Sequence, residues 1–284
     1  LVKEVLDLLI QSCNRSTRRS LSLPEPAFAL DSTTVTVGEG CLPWARFRGE
    51  KSGAKLHVRL DLSNEALAQV ETSLARIHDS AIAPQLLNTP QTVTVQDRGY
   101  VDFKRMEAMD TAGVHFVVRL RKNYVHSNWK SLRRWSFEDS PIIQDGTCFL
   151  GESRRRFRVV TFRCEKGRVF HVATNLIGVS AETIAELYRA RWQVELFFRW
   201  MKQHLNVKHL FGTTMNAVYG QLLGACIAYV LLHWLYRVGK PARFHPVSML
   251  DFTRDLWNSQ LPAEWALLLF DHLRRTRMFY TYFD

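Results

Sequence analysis

Twice in the first hundred residues an apolar, β-branched run meets a carboxylate, and this pattern constrains the fold more than any other. Ala27-Phe28-Ala29-Leu30-Asp31 carries on through Thr33 to Val37 as one strand, and Thr92-Val93-Thr94-Val95-Gln96-Asp97 forms a second. A run this apolar has no casual place for a charge, because a buried ionised carboxylate is costly unless it is paired or binds metal. An acid at the carboxyl end of a strand also sits where open α/β sheets place their ligands. Local roles stay open for each: Asp31 could cap a turn with Ser32 and Thr33, and Asp97 could pair with Arg98 or begin an Asx-turn.

The neighbouring segments supply the rest of a sheet. Lys55 to Leu62 alternates with period two and reads as a half-buried strand. Residues 64–88 read either as a strand followed by a helix or as one long helix. Arg98-Gly99-Tyr100 is a turn, a helix carrying Phe103, Met106 and Met109 stops near Gly113, and Val114 to Leu120 is another strand. Strand–helix–strand order implies parallel pairing with right-handed crossovers, hence an α/β fold.

Charge then sets one segment apart. Residues 120–175 hold 12 Lys and Arg against 5 acids, so +7 of the net +11 lies in a fifth of the 284-residue chain. The alternating runs Arg156–Cys164 and Arg168–Thr174 flank Glu165-Lys166-Gly167 as a hairpin, and the segment reads as a basic β insertion. A basic excess favours a polyanionic partner. Ordinary apolar and charged content, 46% and 23%, excludes a disordered or fibrous chain. The five Cys are scattered, with no C-x-x-C pair, which argues against a disulfide scaffold and fits a reducing cytoplasm. A mostly apolar helix over 215–237 has its longest unbroken apolar run from Leu222 to Leu232, too short for a bilayer, so it reads as a core helix and no membrane partner is expected.

A long helix is expected over roughly 181–206, starting at Ser180. Within it Tyr188, Arg191, Glu195 and Lys202 share an arc of roughly 60° at about 100° per residue. They border an apolar stripe of Leu187, Ala190, Val194, Phe198, Met201 and Leu205. Either this is a solvated face with an Arg–Glu pair one turn apart, or it is a carboxylate among cations facing the sheet. Two strand acids and a helix acid together make an oxygen-rich site suited to two Mg²⁺ ions, with Mn²⁺ as a substitute. Such a pair clamps the attacking and leaving oxygens of an in-line displacement at phosphorus.

The spacing Y-x2-R-x3-E-x6-K of Tyr188, Arg191, Glu195 and Lys202 resembles the Y-R-E-K signature of bacterial insertion-sequence transposases of the insertion-sequence-four group. The resemblance runs from about residue 26 to about 235. It includes Leu30-Asp31-Ser32-Thr33, Gly53-Ala54-Lys55-Leu56-His57, Asp97-Arg98-Gly99-Tyr100 and Ala173-Thr174-Asn175-Leu176. It implies a ribonuclease-H-like core with Asp31, Asp97 and Glu195 as catalytic and metal-binding trio, and a β-rich insertion before the last catalytic helix. It implies that Tyr188, Arg191 and Lys202 contact DNA, and that an aromatic of the insertion, Phe170 or Trp135, stacks a flipped base if ends pass through a hairpin. The run Arg154-Arg155-Arg156 is either solvated or a phosphate contact. Trp192 and Trp200 read as packing residues. His78-Asp79 resembles a family motif at a helix start, and equally a plain cap by Asp79.

The expected organisation is therefore the end of a preceding helical region at 1–20, a catalytic core at 21–119 and 176–240, the basic insertion at 120–175, and a helical segment at 241–284. The expected activity is cleavage of transposon ends followed by attack of the 3′-OH on target DNA, by a cytoplasmic homodimer bound to double-stranded DNA. Rival readings are a nuclease without strand transfer, a catalytically idle DNA-binding relative and, more remotely, a two-carboxylate glycosidase. The chain begins at Leu1 without an initiator methionine, which reads as a core separated from an end-recognition region.

Overall fold

The computed structural model describes residues 1–13, 25–38, 41–47, 51–87, 89–133, 140–205, 209–240 and 247–275. The basic run Asn14–Arg19 and Trp135 lie outside them. In chain order the elements are α1 (Val2–Cys13), β1 (Ala27–Val37), β2 (Arg46–Phe47), β3 (Lys51–Asp61), β4 (Leu67–Leu74), α2 (Asp79–Leu86), β5 (Val93–Gln96), α3 (Phe103–Thr111) and β6 (His115–Arg119). They continue as β7 (His126–Arg133), β8 (Ile142–Leu150), β9 (Arg156–Arg163), β10 (Val169–Thr174), α4 (Ala181–Ala190), α5 (Trp192–His204), α6 (Met215–Gly239), α7 (Met249–Trp257) and α8 (Ala263–Arg275).

The fold is mixed α/β around one large sheet of ten strands, ordered β2-β3-β1-β5-β6-β10-β9-β8-β7, with β4 also on β3. β1, β5 and β6 run parallel at its centre, as the strand–helix–strand order requires, and every other pairing is antiparallel. Residues 64–88 resolve as a strand and then a helix. The hairpin expected around Gly167 forms between β9 and β10, with Gly167 in the left-handed region that its turn demands (φ 75°). Gly113 ends α3 in the same way (φ 67°).

Helices cover both faces. Leu30, Phe116, Val118, Phe157, Val159 and Ala173 turn toward α2 and α3, packing with Leu86, Met106 and Met109. The alternate residues, Asp31, Arg119, Arg158 and Phe170 among them, therefore point to the face on which α4 and α5 lie. Double coverage corrects one expectation. β3 is buried on both faces rather than half-exposed, and its polar residues Lys55, His57 and Arg59 are absorbed into internal contacts. His57 is 0% exposed with Nε2 2.8 Å from Ser73 Oγ, and Lys55 Nζ donates to Asp79 Oδ1 at 2.8 Å. The cap of α2 is consequently His78, whose Nδ1 accepts from Ser80 N, while Asp79 is the first helical residue and serves the ion pair.

The expected single helix over 181–206 is two helices meeting at Arg191. There the chain tightens into bonds of the i→i+3 kind, Arg191 N to Tyr188 O and Val194 N to Arg191 O. The described residues within 1–15 and 220–284 form one compact unit, separate from 16–219. Within it Phe252, Trp265 and Leu269 gather Leu235, Tyr236 and Val238 from α6. α6 spans 25 residues and is long and apolar enough to cross a bilayer by length and composition alone, although Leu222, Cys226, Tyr229 and Val230 on it are buried in the fold.

Candidate active site

Strand register brings the first two acids side by side. Leu30 of β1 pairs with Gln96 of β5 in parallel, so the next residue along each strand places Asp31 beside Asp97 on the α4–α5 face. Asp31 keeps one local bond, accepting from Ser32 N through Oδ1 at 2.8 Å. Its other oxygen, Oδ2, accepts from Arg191 Nη1 at 3.0 Å, and Arg191 Nη2 donates to Glu195 Oε1. Tyr188 donates its hydroxyl to Asp97 Oδ1 at 3.3 Å, and Arg119 Nη1 lies 3.5 Å from the same oxygen. The stretch 188–195 thus touches both strand acids, across 160 and 91 residues of chain.

Electrostatics reflect this crowding. Burial pushes the Asp31 carboxyl up to about 6; Arg191 and the Ser32 amide oppose the rise, while Asp97 and Glu195 add to it. The Tyr188 phenol is raised to about 12, chiefly by burial. Burial would lower the Arg191 guanidinium, yet Tyr188, Glu195 and Asp31 hold it above its ordinary value. Among the described residues no group of three His, Cys, Asp or Glu side chains stands arranged for a metal ion. A guanidinium occupies oxygens of two of the three acids. The donor set itself suits a hard divalent cation, since each of the three supplies carboxylate oxygens and Asp31 feels the charge of the other two.

Two cavities flank the acids. One of about 380 Å³ is lined by Asp31, Thr33, Glu195, Arg199 and Lys202, so Lys202 borders the same cavity as two of the acids. The other, about 990 Å³, runs from Glu195, Arg191 and Tyr188 past Phe170 to Arg119, Lys122, Lys166, Arg168 and Arg189. Phe170 belongs to an aromatic cluster, 5.5 Å from the Tyr188 ring and 5.7 Å from Phe162, with Arg119 over its face at 4.8 Å. Trp192 departs from the packing expectation: it is 49% exposed at this cleft, and its helical position lies opposite the buried stripe.

The arginine run is placed elsewhere. β10 runs antiparallel to β6 and to β9, so Val169 and Arg163 lie at the acid end of the sheet and Arg156 at the far end. There Arg155 Nη1 bonds Asp110 at 2.6 Å, Arg156 Nη2 donates to the carbonyls of Asn128 and Thr147, and Arg154 is exposed. Arg158 is 3% exposed and pairs internally with Asp145. Arg119, Lys122, Lys166, Arg168 and Arg189 at the cleft were not singled out from sequence. The available signal was that a hairpin entering β10 must turn back at the same sheet end as the acids.

Comparison with known proteins identifies the family. Residues 22–231 match the family described as transposase DDE domain. A probable transposase for insertion sequence element IS5377 of Geobacillus stearothermophilus is 45% identical over 280 residues, covering 96% of this chain and 74% of that protein. Transposase InsG for insertion sequence element IS4 of Escherichia coli is 24% identical, over 73% of this chain and 47% of its own. The fold is similar to that of the piggyBac transposase solved in a synaptic complex with hairpin DNA, with a TM-score of 0.50 and 14% identity over 97% of this chain and 60% of that one.

Proposed function

As this chain belongs to the DDE transposase family and is a DNA transposase, we propose that Asp31, Asp97 and Glu195 are its catalytic trio. The observation that carries this reading is the contact of one helical stretch, 188–195, with acids on two adjacent parallel strands. Two divalent cations held by these carboxylates, Mg²⁺ with Mn²⁺ as substitute, would supply polarisation of the scissile phosphate and a more acidic attacking water.

The chain's own residues do the rest. The 990 Å³ cleft collects, in addition to Arg191, five cations, which would hold backbone phosphates of a strand led to the acids. Lys202, across the acids in the smaller cavity, and Arg191 would neutralise the phosphate under attack, and Tyr188 would fix Asp97 while bordering the cleaved end. In the first step water forms a bond to phosphorus as the bond to the transposon's 3′ oxygen breaks, leaving a 3′-OH and a flanking 5′ phosphate. In the second that 3′-OH bonds to a target phosphorus and displaces the target's 3′ oxygen, joining the strands. The central strands with α2–α5 would be a ribonuclease-H-like core over 21–119 and 176–240, with 120–175 as its β-rich insertion, 1–20 as the end of a preceding helical region and 241–284 as a helical appendix. The family supports double-stranded transposon ends and target as partners, a homodimer joining two ends, and action in the cytoplasm.

Phe170 is proposed as an aromatic wall of the cleft rather than a base-stacking plate, because Arg119 already lies over its ring. Incubating the protein with precut transposon ends, target plasmid and Mn²⁺ tests the reading. Joined product lost in Glu195→Gln supports it; nicking without any joined product would leave only a nuclease.

A further inference from the structure

The Arg191 guanidinium bridges β1 and α5 by bonding Asp31 Oδ2 through Nη1 and Glu195 Oε1 through Nη2. Oxygens engaged this way face a cation already, and a planar fork spanning two carboxylates excludes a metal ion from the position between them. Arg191 is 8% exposed, so it arrives there at the cost of its own hydration. Its Nε is buried and has no hydrogen-bond partner, so the fork is incompletely satisfied in this position. Asp31 and Glu195 share Arg191 in this way, while Arg119 lies 3.5 Å from the third acid, Asp97.

We propose that Arg191 is a placeholder for the metal: it holds Asp31 and Glu195 together in the metal-free protein and must release both before they take a divalent cation. This rests on reading Asp31, Asp97 and Glu195 as metal ligands. Three carboxylates gathered on one sheet end would otherwise repel, and the guanidinium keeps them assembled until it is exchanged. Released from them, its planar fork becomes available to a phosphate at the moment the site is loaded. Metal uptake and arginine pairing are then mutually exclusive, so Arg191 sets the metal affinity by competition.

The test is binding of Mn²⁺ alone, followed by the paramagnetic resonance signal of the free ion, together with melting temperature. Arg191→Gln should bind Mn²⁺ more tightly than the wild type by about tenfold, the worth of one charge-assisted hydrogen bond. Without metal it should melt lower, and Mn²⁺ should raise its melting temperature more than that of the wild type. Equal or weaker Mn²⁺ binding by Arg191→Gln overturns the exchange. If that variant does not fold without metal, Arg191→Lys, which keeps the charge but reaches only one carboxylate, should bind Mn²⁺ with intermediate affinity, and wild-type affinity overturns the proposal. Glu195→Gln separates the two ideas. If it leaves Mn²⁺ binding unchanged in both backgrounds, the reading of the trio as a metal site falls. If it abolishes binding while wild type and Arg191→Gln bind alike, only the exchange falls.

Discussion

Arg158 and Asp145 form a bidentate ion pair inside the fold, Nε to Oδ1 and Nη2 to Oδ2, each at 2.8 Å. The same guanidinium donates through Nη1 to the carbonyls of Leu176 and Val179 at 2.9 and 2.5 Å. A residue that belongs by count to the basic segment is therefore a structural bracket. It ties two strands of the sheet to the loop that launches the helices carrying Tyr188, Arg191 and Glu195.

Removing one member of this pair leaves the other charged and buried. Arg158→Met should destabilise the protein by about 3–5 kcal/mol in urea unfolding, while replacing both residues with apolar ones should cost much less. A loss under 1 kcal/mol for Arg158→Met would mean that the bracket is dispensable.

His57 gives the fold a pH signature. Burial lowers its imidazole to about 4, with Asp79 opposing the shift and Lys55 adding to it. From about pH 6.5 down to about 4 the unfolded chain takes up a proton that the folded chain refuses, so this contribution is intact above 6.5 and drains away as pH falls. It amounts to about 3 kcal/mol in all. Stability measured across that window should fall more steeply in wild type than in His57→Gln.

The cleft and the arginine run predict opposite results in DNA binding. Lys166→Ala with Arg168→Ala should weaken binding to duplex DNA and shallow its salt dependence by about one unit of slope per lost phosphate contact. Arg154→Ala, at the far end of the sheet, should leave the slope unchanged. A reversed pattern would put the DNA path on the other end.

Tyr188→Phe keeps the ring among Phe162 and Phe170 and removes only the hydroxyl bond to Asp97. Nicking should slow by about tenfold or more, the worth of a hydrogen bond to a charged group, with the melting temperature nearly unchanged. An equal loss of stability would mark Tyr188 as a packing residue first.

What could be read from the chain alone followed from local rules. Apolar runs meeting acids located β1 and β5, and the helical spacing grouped Tyr188, Arg191, Glu195 and Lys202 on the side that faces the sheet. The misreadings arose where partners are distant in sequence. Lys55 and His57 alternate like residues of a half-exposed strand, yet α2 covers them, and period two reports which face a residue takes but not what covers it. The break at Arg191 leaves no Gly or Pro to betray it, since none lies between Val179 and Leu205. Charge counting placed +7 in the insertion, but a net charge has no direction, and strand pairing alone decides that Arg168 lies at the acid end of the sheet while Arg156 does not.

The 160 residues between Asp31 and Arg191 also bear on how the enzyme comes into being. A chain leaving the ribosome presents its two strand acids early, with nothing to complete them until α5 has been made. A product stopped anywhere before Glu195 holds at most two of the three carboxylates and lacks Lys202. With the proposed trio, such truncated products would be unable to cut DNA, and a cell carrying this element would be exposed to cutting only by chains synthesised through α5.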